Sequence, residues 1–155
     1  MEADLAGGTH QGLDFHRAAL DRAALCGATF LECDFRSARL ASADARGATF
    51  LKCALIMTEM PSADLEGARF RGGRVVNCDF QGANLGQVVF EDVEVVDTSF
   101  EGANLRGADF SGARVLGRRR SLEGAIYNSK TKWSSDFDPA RHGAVLVADQ
   151  KEPAQ

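Results

Sequence analysis

Residues 28–50 read ATFLECDFRSARLASADARGATF, and every fifth residue from Phe30 is large and apolar: Phe30, Phe35, Leu40 and Phe50, with Ala45 the small exception. Extended outward, the same phase holds from Phe15 to Val115, through Leu20, Leu25, Leu55, Met60, Leu65, Phe70, Val75, Phe80, Leu85, Phe90, Val95, Phe100, Leu105 and Phe110. Two residues earlier runs a small register, as in Ala28, Cys33, Ala38, Ala43, Ala48, Cys53, Thr58, Ala63 and Ala68, with Leu13, Val88 and Val93 the larger exceptions. A period of five collects side chains neither on one helix face nor on one strand face. A short extended triplet such as Ala28-Thr29-Phe30 points its outer members inward and its middle residue outward. The next two residues must turn the chain, and they often end in glycine, as at Gly27, Gly47, Gly67 and Gly107.

A chain that goes straight and bends at a fixed short period coils into a solenoid. Phe30, Phe50, Phe70, Phe90 and Phe110 recur every twenty residues, so four segments make one lap and like stacks on like. The expected structure is all-β, with about five to six coils at the parallel-strand spacing of roughly 4.8 Å. The expected domain organisation is a coil over 1–117 and a capping tail over 118–155.

Ala-Asp-Leu-Glu-Gly at 63–67, Ala-Asn-Leu-Arg-Gly at 103–107 and Ala-Asp-Phe-Ser-Gly at 108–112 resemble the A(D/N)LXX unit of pentapeptide-repeat proteins. That resemblance covers about residues 3–117 and implies a right-handed quadrilateral β-helix. The tail segments GAIYNSKTK (124–132) and FDPARHGAVLV (137–147) are similar to a stretch that often follows such repeats. Met60-Pro61 departs from the pattern, as does the Val-rich stretch 86–99, and both are expected to disturb local regularity.

The net charge of −4 divides unevenly: residues 1–117 hold 17 acidic and 11 basic side chains, and residues 118–155 hold 5 and 7. The coil is thus −6 and the tail +2. Direct nucleic-acid binding through the coil is disfavoured by like charge, and Arg118, Arg119 and Arg120 read as a solvated junction. The absence of a long apolar stretch and of a signal-like N-terminus makes no membrane contact and a cytoplasmic location the expectations. Cys33, Cys53 and Cys78 occupy the small inward register and are expected to be reduced thiols acting as slightly large alanines. His10, His16 and His142 are too far apart to share a site, and no cofactor, metal ligand set or catalytic group emerges. The chain reads as no enzyme.

Two exterior features remain. Glu91, Asp92, Glu94, Asp97 and Glu101 cluster within about half a coil, and no Lys or Arg occurs between Arg74 and Arg106. The cluster reads either as solvated surface or, through the family resemblance, as part of a DNA mimic. Some pentapeptide-repeat proteins match duplex DNA in width and charge, bind DNA gyrase or topoisomerase IV in its place, and protect the enzyme from quinolones or other poisons. Five coils would need on the order of fourteen charges to match duplex DNA, at one per roughly 1.7 Å. The second feature is an aliphatic stripe, Ile56, Val76, Val96 and Leu116, at the twenty-residue period. Either the tail caps the coil and covers part of the stripe, or the stripe, the tail or both serve a homodimer contact.

Overall fold

The computed structural model describes residues 2–117 and 121–149, so the run Arg118–Arg120 lies outside the described residues. Its strands are β1 (Thr9–Gln11), β2 (Thr29–Leu31), β3 (Thr49–Leu51), β4 (Ala54–Ile56), β5 (Arg69–Arg71), β6 (Arg74–Val76), β7 (Val89–Val96), β8 (Asp109–Leu116), β9 (Ile126–Tyr127) and β10 (Val145–Leu146). A single turn of 3-10 helix spans Pro139–His142. All pairings are parallel, and successive partners lie twenty residues apart through most of the chain. Four ladders define four walls. The first links Asp4, Ala24, Asp44, Asp64, Asn84, Asn104 and Ile126, and the fourth links Ala19, Arg39, Glu59, Asp79, Ser99 and Ser121. The second wall holds β1, β2, β3, β5 and the first halves of β7 and β8; the third holds β4, β6 and their second halves.

On the second wall the layers run Thr9, Thr29, Thr49, Arg69, Val89, Asp109 and Lys132, which makes about seven turns where the repeat alone indicated five to six. The added turn comes from residues 121–132. They continue the ladder although their spacing no longer follows the pentad, because Ile126 pairs with Asn104 and Lys132 with Asp109.

Strand alternation explains the core. Phe30, Phe50 and Phe70 are buried while their neighbours on either side are half-buried or exposed. Their rings stack at 5.4 and 4.9 Å, and Phe90 and Phe110 extend the column at 4.9 Å each. His10 closes it at one end, 5.2 Å from Phe30, and Trp133 closes it at the other, 5.1 Å from Phe110. Flat rings repeat at the ladder spacing, so backbone pairing and ring stacking reinforce each other.

The corners are less dependent on glycine than the sequence implies. Glu32, Ser37, Ser42, Lys52, Met57 and Asn77 all adopt left-handed backbone with φ between 53° and 57°. That conformation costs a non-glycine residue of order 1 kcal/mol. It aims each N–H at the next coil: Glu32 N donates to Leu51 O at 2.9 Å and Lys52 N to Arg71 O at 2.8 Å. Met60-Pro61, expected to disturb a turn, leaves the ladder intact, since Met60 N reaches Asp79 O and Ser62 N reaches Gln81 O. The N–H at the position Pro61 occupies is elsewhere bonded to a side chain rather than to the ladder, as Gln81 N is to Asp79 Oδ1 and Ala41 N to Asp21 Oδ1. A proline there removes no ladder bond. The Val-rich stretch does alter the walls: β7 and β8 pair with each other across the corner between the second and third walls, with register shifts between them, although Asp92 still turns β7 there with a left-handed φ of 52°.

Candidate protein-binding surfaces

Outward acidic residues fall into two groups by what their carboxylates touch. Those just before the large residue brace their own corner: Asp14, Asp34, Asp44, Asp64, Asp79 and Asp109 each accept the N–H two residues on. These are Asx turns, and they give the Asp or Asn of the repeat a structural task. Arg36 and Arg46 add side-chain bonds to Asp34 and Asp44, whose carboxyls are held below the usual carboxylate range chiefly by that guanidinium contact.

The acidic cluster differs. Glu91, Asp92, Glu94 and Glu101 are exposed, and Asp97 is half-buried. Glu91 and Asp92 lie at the end of the second wall, Glu94 on the third, Asp97 at the next corner and Glu101 beyond the fourth. Rather than bracing their own corners, Glu91, Glu94 and Glu101 reach to neighbouring coils: Glu91 to Arg71 at 3.8 Å, Glu94 to Arg114 at 3.2 Å, and Glu101 to the Ser121 hydroxyl, which donates at 3.1 Å. Both arginines lie outside the cation-free window of the linear sequence. The signal that would have found them is the twenty-residue offset, since 71 and 114 are one coil from 91 and 94. Exposed pairs of this kind contribute little stability; their effect is to break the acidic edge with positive charge.

The stripe is continuous in space, because Ile56 pairs with Val76, Val76 with Val96 and Val96 with Leu116. Ile56, Val76 and Val96 are half-buried, Leu116 is 37 % exposed, and beside the stripe Met57 is 58 % exposed. The described tail caps instead of covering it. Leu122 and Ala125 are buried at the coil end, Trp133 and Phe137 stack at 5.3 Å, and β9 and β10 pair over the first wall. Among the described residues neither β9 and β10 nor the 3-10 turn contacts β4 or β6.

His10 stacks in the core column, His16 is exposed, and His142 stacks on Phe137 at 5.0 Å. Among the described residues no group of three or more His, Cys, Asp or Glu stands close enough to hold a metal, and no helix is long and apolar enough to cross a membrane. The cysteines are free. The buried thiols of Cys53 and Cys78 donate to Phe30 O at 3.2 Å and Leu55 O at 3.1 Å, and burial pushes them up to about 12 and about 11.

The family model described as pentapeptide repeats matches in eight copies over residues 14–50, 33–72, 52–87 and 83–115. The chain belongs to the pentapeptide-repeat family. Among solved structures, this pentapeptide-repeat chain is similar to trypsin-treated R167E QnrB1, a plasmid-mediated fluoroquinolone resistance protein. The identity is 16 %, the coverage 94 % of this chain and 90 % of that one, and the TM-score 0.58. It also matches a pentapeptide repeat protein from the thylakoid lumen of Arabidopsis thaliana, with 25 % identity, 72 % and 71 % coverage and a TM-score of 0.40. A third match is HetL of Nostoc, involved in heterocyst differentiation regulation, with 18 % identity, 96 % and 87 % coverage and a TM-score of 0.37. No curated protein matches in sequence. At these identities the likeness is one of fold.

Proposed function

We propose that this pentapeptide-repeat protein is a non-catalytic, cytoplasmic binding rod whose acidic edge, Glu91, Asp92, Glu94, Asp97 and Glu101, engages the basic DNA-binding surface of a type II topoisomerase, DNA gyrase or topoisomerase IV. The observation that carries the reading is that Glu91, Glu94 and Glu101 reach along the exposed ladder to neighbouring coils instead of bracing their own corners. Electrostatic complementarity of this kind speeds encounter and selects partners. The free thiols fit a reducing compartment. On this reading residues 121–132 add the last turn to the coil of 1–117, and the described residues 133–149 act as its cap. Fluoroquinolone resistance, the role of QnrB1, is the matching phenotype: the bound rod would shield the enzyme from a poison.

Charge limits how far the mimicry extends. The six turns of residues 1–117, at roughly 4.8 Å each, would need on the order of seventeen charges to equal duplex DNA, whereas these residues carry a net −6. The resemblance to DNA is therefore local to the edge, and Arg71 and Arg114 weaken it there. In a gyrase supercoiling assay, with and without a fluoroquinolone, micromolar protein is expected to inhibit or protect, and replacing the five acidic residues by their amides to abolish the effect. No effect up to ~50 µM removes this reading.

Among the described residues nothing covers the stripe, which favours a second reading, in which the rod is a structural module that associates with itself through Ile56, Val76, Val96 and Leu116. The tail's docking on the coil end, away from β4 and β6, supports it.

A further inference from the structure

We propose that the third wall pairs face to face with the third wall of a second copy, the rods antiparallel and the twofold axis lying between the levels of Val76 and Val96. This deepens the self-association reading and rests on it. The wall presents three columns at the ladder spacing. The first is Ala54, Arg74, Glu94, Arg114; the second is the stripe; the third includes Met57 and, two coils beyond Asn77, Gly117. A twofold axis in the interface, perpendicular to the rods, keeps each column against itself and reverses the order of coils.

With the axis between Val76 and Val96, Val76 meets the partner's Val96 and Ile56 meets the partner's Leu116. Arg74 meets the partner's Glu94, and the same pair recurs by symmetry. Met57, with its 58 % exposure, faces the partner's Gly117, which has no side chain to oppose it. Arg74 is exposed and makes no ion pair among the described residues. Glu94, bonded to Arg114 on one side, keeps room for a second cation.

Other registers fail on charge or on contact. An axis at Val76 sets Arg74 against the partner's Arg74, and one at Val96 sets Glu94 against the partner's Glu94. An axis between Ile56 and Val76 places Asp34 opposite the partner's Glu94 and Arg36 opposite the partner's Val96. An axis between Val96 and Leu116 opposes Glu94 to the partner's Arg114 but leaves Ile56 and Val76 beyond the partner's last third-wall strand. Parallel rods bring Glu94 level with the partner's Asp97. Like charges count against four of these arrangements and lost overlap against the fifth, so charge and overlap together favour the proposed register.

Four coils at roughly 4.8 Å and a wall about 10 Å wide give roughly 200 Å² of flat contact per copy. Even with side-chain relief this is well below the ~800 Å² per partner of a standard interface. The expected dimer is therefore weak and visible only at high concentration.

Sedimentation equilibrium of the full chain from ~10 µM to ~1 mM tests it. The wild type is expected to move from monomer toward dimer, and Val76→Lys with Val96→Lys to remain monomeric. Arg74→Glu and Glu94→Arg are each expected to weaken association at least tenfold, and the two together to restore it. The restored double variant sets a specific register apart from a sticky patch. Thermal melts of every variant confirm that the coil is intact. A monomer throughout the range overturns the self-association reading itself. Association that survives the lysines, or a double swap that fails to recover, overturns the proposed register.

Discussion

The coils of residues 14–71 and those of residues 72–116 enclose the same kind of interior with different corners. In the earlier half, Glu32 and Lys52 turn the chain sharply from the second wall to the third, one left-handed residue at each corner. In the later half the corner varies: Gly72 and Gly73 are both left-handed, Asp92 alone turns the next coil at φ 52°, Gly112 turns without a left-handed residue, and the ladder between β7 and β8 shifts register there. Ring spacing in the phenylalanine column is nevertheless 4.9 Å on both sides of Phe70. The interior is held by backbone pairing and ring stacking, so the corner can vary without disturbing it.

The sharpest test of that independence compares Phe50→Ala with Phe90→Ala. Each ring stacks on two neighbours in the column, so each loss should cost about 3–5 kcal/mol. Matched losses in urea unfolding would show one interior, whereas a much smaller loss at Phe90 would show that the register-shifted corner softens the core beneath it.

The second test addresses the corners. A Cβ at Gly73 would overlap the Cys53 carbonyl oxygen, while one at Gly27 meets nothing within 4 Å. Gly73→Ala is expected to cost about 3 kcal/mol, by overpacking added to left-handed strain, and Gly27→Ala about 1 kcal/mol from strain alone. Equal midpoints in urea would mean that the later corner yields freely.

The smallest effect is chemical. Cys53 lies in the earlier half and Cys78 in the later, both buried with raised thiol pKa values. Both should resist a thiol reagent at pH 8, and half-buried Cys26 should react first. Selective labelling of Cys78 would report opening of the later coils.

Much of the fold was legible because packing dictates inward positions. The pentad fixed the stacked phenylalanines and the small register, and the twenty-residue recurrence fixed the four walls. The seventh turn was not legible, since residues 121–132 join the ladder without the pentad spacing that marks it. His10 and Trp133 as the ends of the ring column were hidden for the same reason: neither is the residue type the repeat leads one to expect. For the surfaces, composition along the chain misled where register did not. The acidic window looked free of cations until Arg71 and Arg114 were brought alongside it by the ladder.

What the sequence determined by itself was the period, and with it which side chains enter the coil, because a narrow dry axis admits only alternating small and large residues. Which charges oppose one another, where the tail docks and how the later corners shift register were decided by tertiary structure. Those outcomes depend on residues one lap apart, and only the closed ladder makes such residues neighbours.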